Sequence, residues 1–128
     1  MKIAIDFDGT CVAYDFQGIG EDIGAVKVIL DLVKAKHLII LNTMRSGASL
    51  EEAVGWFDRN GIPLYGVNED PKQKQWTNSP KVFADLYIDD AALGCPIKSD
   101  LEKSKKPFVD WIRVREILTL MGLLPEVP

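Results

Sequence analysis

A strand-length apolar run, Lys2-Ile3-Ala4-Ile5, passes without a break into Asp6-Phe7-Asp8-Gly9-Thr10, and few folds accommodate two acids at the end of a buried strand. Side chains alternate faces along a strand, so Asp6 and Asp8 point one way while Phe7 packs behind them. Two adjacent carboxylates repel each other unless a cation holds them. Gly9 permits a tight turn whose N–H groups can face an anion. The stretch reads as a carboxylate pair that binds a hard cation and faces a phosphate. A plain Asp-Gly turn is the simpler alternative, and the rest of the chain decides between them.

Comparable junctions recur. Residues 22–36 have helical spacing, with Asp22 as cap and Ile23, Val26, Ile29, Leu30 and Val33 on one face. Leu38–Leu41 is a second strand, apolar throughout as in a parallel sheet, and it ends in Asn42-Thr43-Met44-Arg45-Ser46-Gly47. Ser49 and Glu52 have capping-box spacing for a second helix, which Gly61 and Pro63 stop. Residues 62–67 form a third strand and 68–79 a polar loop. Leu86–Ile88 is a fourth strand, ending in Asp89-Asp90. A charged loop over 94–106 leads to Pro107, suited to the first turn of a last helix that buries Phe108, Trp111, Ile112, Leu118 and Met121. Strands alternating with helices predict an α/β fold: a three-layer, Rossmann-like parallel sheet with helices on both faces. Ligands in such sheets bind outside the carboxyl ends of the strands, where Asp6, Asp8, Thr43, Asp89 and Asp90 all fall.

The chain of 128 residues has the length of one domain, 1–128, and no apolar run long enough to span a bilayer. Strand-like residues begin at Ile3, which leaves no room for a signal peptide. Two cysteines, Cys11 and Cys95, make no disulfide framework, so a reducing cytoplasm is the expected location. A net charge of −4 disfavours nucleic acid as the partner.

Asp6-Phe7-Asp8-Gly9-Thr10, Leu41-Asn42-Thr43 with Arg45, and Tyr87-Ile88-Asp89-Asp90 together resemble the first, second and fourth motifs of the haloacid dehalogenase superfamily of phosphotransferases. The resemblance covers residues 2–90. It implies a Mg²⁺-dependent phosphomonoester hydrolase in which Asp6 attacks phosphorus to form an aspartyl phosphate. Asp8 then serves as acid and base. It also implies Mg²⁺ at Asp6, Asp90 and the Asp8 main-chain carbonyl, with Asp89 orienting or joining that set. Gly9, Thr10, Thr43, Met44, Arg45 and a lysine would surround the phosphate. Lys81 is preferred over Lys74, because four extended residues before the fourth strand cover roughly 13 Å. Met44 stands where a glycine is frequent in the family. The dehalogenases that name the superfamily lack the second acid, so Asp8 points to phosphate. The gaps in which family caps are inserted are too short here for a folded cap. A capless, open site implies a phosphorylated substrate of unspecified class, with a homo-oligomer as one way to cover it.

Two other functions fit parts of the pattern. A phospho-receiver has a similar length and an acidic Mg²⁺ site, but usually carries its acceptor aspartate on the third strand, where this chain has none. A catalytically silent phosphate-binding relative would not need every acid. Elsewhere, Cys11 and Cys95 read as small buried residues rather than a redox pair. Lys72, Lys74 and Trp76 read as a solvated loop, and His37 as a dipole contact at a helix end.

Overall fold

The computed structural model describes residues 1–15 and 18–126. Strands β1 (Lys2–Ile5), β2 (Leu38–Leu41), β3 (Gly66–Val67) and β4 (Leu86–Ile88) form a parallel sheet in the order β3-β2-β1-β4. Among the described residues, three α-helices accompany it: α1 (Ala25–Lys34), α2 (Gly47–Arg59) and α3 (Trp111–Leu120). Two short strands, β5 (Ile97–Lys98) and β6 (Phe108–Val109), pair antiparallel apart from the main sheet. The α/β class and the parallel sheet are as expected.

The helices do not cover both faces. Ile3, Ile5, Ile39 and Leu41 share one hydrophobic cluster with Val28, Ile29 and Leu32 of α1, Ala53, Trp56 and Phe57 of α2, and Val114 and Leu118 of α3. Ala4 and Ile40 point the other way and meet Val82, Tyr65 and Ala84. Topology explains this for α1 and α2. The chain steps from β1 to β2 to β3 in one direction, so right-handed crossovers keep both helices on one side. The return from β3 to β4 crosses the opposite face, and there it forms only a single 3₁₀ turn, Gln73–Gln75.

A buried glutamine organises that return. Gln73 Oε1 accepts from the N–H groups of Asp70 (2.9 Å) and Phe83 (3.0 Å), and its Nε2 donates to the carbonyls of Ser79 (3.3 Å) and Lys81 (3.0 Å). Asp70, also buried, pairs with Lys2 of β1 and accepts from Lys72 N–H. Gln73→Leu keeps the volume but strands these partners, and should cost at least about 2 kcal/mol. Urea denaturation tests this, and an unchanged midpoint would show that other contacts hold the segment.

Several element boundaries differ from expectation. α1 starts at Ala25, and Asp22 caps it from outside, Oδ1 accepting from Ala25 N–H at 2.8 Å. Its most buried stripe is Ala25, Val28, Ile29 and Leu32, with Val26, Leu30 and Val33 at the margins. α2 begins at Gly47, so Ser49 lies inside its first turn and donates to Ser46 O; the expected capping box does not form. β3 keeps only Gly66 and Val67 of 62–67, and the chain turns back so closely after it that a Cβ on Gly66 would lie 2.1 Å from Glu69 O. Pro107 precedes β6 rather than opening a helix, and α3 starts at Trp111 with Asp110 capping Arg113 N–H. Phe108, Trp111 and Leu118 are buried as expected, whereas Ile112 (72 % exposed) and Met121 (49 %) are not. His37 bridges the Met1 amino group and the Leu123 carbonyl instead of an α1 carbonyl. Among the described residues, no helix is long and apolar enough to cross a membrane.

Candidate metal centre and active site

β1 and β4 lie in register with Ile5 opposite Ile88, and Asp6 N–H donates to Ile88 O at 3.0 Å. That register brings the residues just beyond both strands together. One carboxylate oxygen each from Asp6, Asp89 and Asp90 lie within 4.8 Å of one another. An all-oxygen, anionic set of this kind can hold a hard divalent cation. Burial, reinforced by the Asp89 charge, pushes the Asp6 carboxyl up to about 8. A cation would relieve both effects, so the residues present fit a metal.

The loop after β1 is fastened beneath this cluster. The Thr10 hydroxyl is fully buried and shares its proton between Asp6 Oδ2 (2.9 Å) and Asp90 Oδ1 (3.1 Å). It also accepts from Asp90 N–H, so its lone pairs and proton serve the acids rather than open solvent. Trp111 Nε1 donates to Thr10 O at 2.6 Å and ties α3 to the loop. Tyr14 donates to Asp90 Oδ2 at 2.6 Å, and burial and that bond push its phenol up. Gly9 has φ of 79°, and a Cβ there would lie 2.3 Å from the Tyr14 ring and 2.7 Å from Asp90 Oδ2. Only glycine fits. The anion seat expected of this turn does not form, however: Gly9 N–H donates to Val12 O, and Thr10 and Cys11 N–H donate to Phe7 O.

Asp8 is not part of the three-acid cluster but lines the same cavity. Its carboxylate is gripped by Arg45, Nε to Oδ2 and Nη2 to Oδ1, both at 2.7 Å. The guanidinium lies 5.0 Å above the Phe7 ring, which packs edge-on to Trp56 of α2. Thr43 is held by Asn68, whose Oδ1 accepts Thr43 N–H at 2.8 Å, while the Thr43 hydroxyl accepts from Arg45 N–H. An open cavity of about 470 Å³ is lined by Asp6, Asp8, Tyr14, Thr43, Met44, Arg45, Asp89, Asp90 and Ala91. Neither candidate lysine lines it: Lys81 Nζ sits 5.7 Å from the Tyr87 ring centroid, and Lys74 pairs with Glu69. Burial pushes both cysteine thiols up, which leaves them poor nucleophiles. Tyr14, Asn68 and Trp111 are the site-shaping residues that sequence reasoning missed. Asn68 was findable, since it follows a strand end as Thr43 and Asp89 do; Tyr14 and Trp111 carry no local signal.

The chain matches no protein-family model and no curated protein. It is similar to a solved structure described as a conserved protein from Bacteroides thetaiotaomicron, with 36 % sequence identity over 94 % of this chain and 91 % of that one, and a TM-score of 0.77. This chain belongs to that protein's family. The two members share their fold over nearly their whole lengths.

Proposed function

We propose that the chain is a Mg²⁺-dependent phosphomonoester hydrolase of the haloacid dehalogenase type, working through an aspartyl phosphate on Asp6 from a capless site. The observation that carries this reading is the convergence of Asp6, Asp89 and Asp90 beside Asp8 on one open cavity at the carboxyl ends of β1 and β4. Mg²⁺ held by Asp6, Asp89 and Asp90 would neutralise charge and let a carboxylate approach an anionic phosphate.

Asp6 is the nucleophile: its oxygen bonds to phosphorus as the bond from phosphorus to the leaving oxygen breaks. Asp8 gives that oxygen a proton. In the second half-reaction Asp8 takes a proton from water as the water oxygen bonds to phosphorus, and orthophosphate leaves Asp6 free again. Thr10 and Tyr14 hold Asp6 and Asp90 in place throughout. Two free, unreactive cysteines suit a reducing cytoplasm.

The test is hydrolysis of p-nitrophenyl phosphate and of a panel of alkyl and sugar phosphates with Mg²⁺ and with chelator, together with mass spectrometry of acid-quenched protein. Mg²⁺-dependent turnover with a phosphoryl group on Asp6 is the expected result. A stable phosphoryl group on Asp6 without turnover would favour a receiver. No reaction with any ester would favour a silent binding domain.

A further inference from the structure

The resemblance assigns Arg45 to the transferring phosphate, but its donors point elsewhere. An arginine offers five N–H donors in a fixed fork. Nε and one Nη2 hydrogen go to the two oxygens of Asp8, and the other Nη2 hydrogen goes to Gly18 O at 2.8 Å. One Nη1 hydrogen goes to Ser49 O at 3.2 Å, and the same nitrogen lies 3.9 Å from Glu52. No edge of the fork remains for a bidentate phosphate, and the side chain is only 11 % exposed. Phe7 below, the Ser49 carbonyl of α2 and the Gly18 carbonyl fix the guanidinium from three sides, independently of Asp8.

We propose that Arg45 is a positioning residue for Asp8, not a phosphate ligand: its fork fixes the plane of the Asp8 carboxylate so that one oxygen faces the leaving group and then the attacking water. The inference rests on the phosphatase reading above. Each Asp8 oxygen spends one lone pair on Arg45 and keeps another. Proton transfer therefore proceeds without breaking the pair.

A phosphate ligand and a positioning residue fail differently when replaced. Losing a phosphate ligand raises KM and weakens orthophosphate binding, whatever the leaving group. Losing a positioning residue leaves phosphate affinity alone and slows the steps that move a proton. Arg45→Lys keeps the charge but not the fork, and Arg45→Gln removes both. In both variants, the orthophosphate affinity measured by calorimetry in Mg²⁺ should stay within about threefold of the parent protein, and KM should not rise. The phosphorylation rate with an alkyl phosphate should fall about a hundredfold or more, and with p-nitrophenyl phosphate less than about tenfold, because nitrophenolate leaves without a proton. Hydrolysis of the phosphoenzyme still needs Asp8, so the nitrophenyl ester should show a burst of phenol followed by slow turnover. Should Arg45→Gln fail to fold, Arg45→Lys alone separates the two roles.

A rise of tenfold or more in KM and in the orthophosphate dissociation constant, with both esters slowed alike, would return Arg45 to the phosphate and overturn the inference. So would full rescue by lysine. A parent protein inactive on both esters defeats the phosphatase reading and this inference together, whereas an active parent with the wrong variant pattern defeats only the inference.

Discussion

Asp6→Asn should abolish the phosphoenzyme and lower turnover of every phosphomonoester by at least about ten-thousandfold, while making the metal-free protein more stable above neutral pH. The first half follows from the proposed chemistry, since an amide does not displace an alkoxide from phosphorus and no neighbour is placed to substitute. Asp89 and Asp90 lie in the same cluster, but each is committed to the loop: Asp89 accepts from Ala91 N–H, and Asp90 from Tyr14 and Thr10. The second half follows from electrostatics. Asp6 is a buried carboxylate beside Asp89, and asparagine carries no charge there to be desolvated or repelled. Acid-quench mass spectrometry and thermal unfolding in chelator measure the two halves on the same samples. A variant that is inactive yet more stable rules out unfolding as the cause. Turnover near that of the parent would show that Asp6 is not the nucleophile.

What could be read from the sequence was what depends on local pattern. The three apolar runs that end in Asp6, Thr43 and Asp89 are legible because a buried parallel strand has no polar residues until it leaves the sheet. Once those strands are parallel, their carboxyl ends share an edge, and the acids must meet. The helix faces were less legible. Periodicity shows that a helix has an apolar stripe but not which side of the sheet receives it, and that depended on the return from β3 to β4. Gln73 looks like any loop glutamine until its four backbone partners, spread from Asp70 to Phe83, are in place. The partner of Arg45 was hidden for a related reason. α2 opens at Gly47 rather than at the Ser49 box, which brings the Ser49 carbonyl round to hold the guanidinium over Phe7 and against Asp8.

The metal-free protein should lose stability as pH rises from about 4 to about 8, the reverse of the usual behaviour of a carboxylate, and Mg²⁺ should restore it. The Asp6 carboxyl moves from an ordinary 3.8 to about 8 on folding, first through burial and then through the Asp89 charge. A group whose pKa is raised in the folded state keeps its proton there after the unfolded chain has released its own. Below about pH 4 Asp6 is protonated in both states and its full contribution is present. Between the two values the unfolded chain is favoured by up to about 1.4 kcal/mol for each pH unit. Above about pH 8 both states are ionised and the loss levels off, at a total on the order of a few kcal/mol. For a domain of this size that is a fall in Tm on the order of 10 °C. Mg²⁺ at a hundred times its dissociation constant would return about 2.7 kcal/mol. It should act strongly at pH 8 and weakly at pH 5, where it must first displace the Asp6 proton. Thermal unfolding across this range, with chelator and with Mg²⁺, gives both curves. Asp6→Asn should flatten the first and remove most of the second. A metal-free Tm that rises steadily to pH 8, with no response to Mg²⁺, would mean that Asp6, Asp89 and Asp90 do not form a cation site.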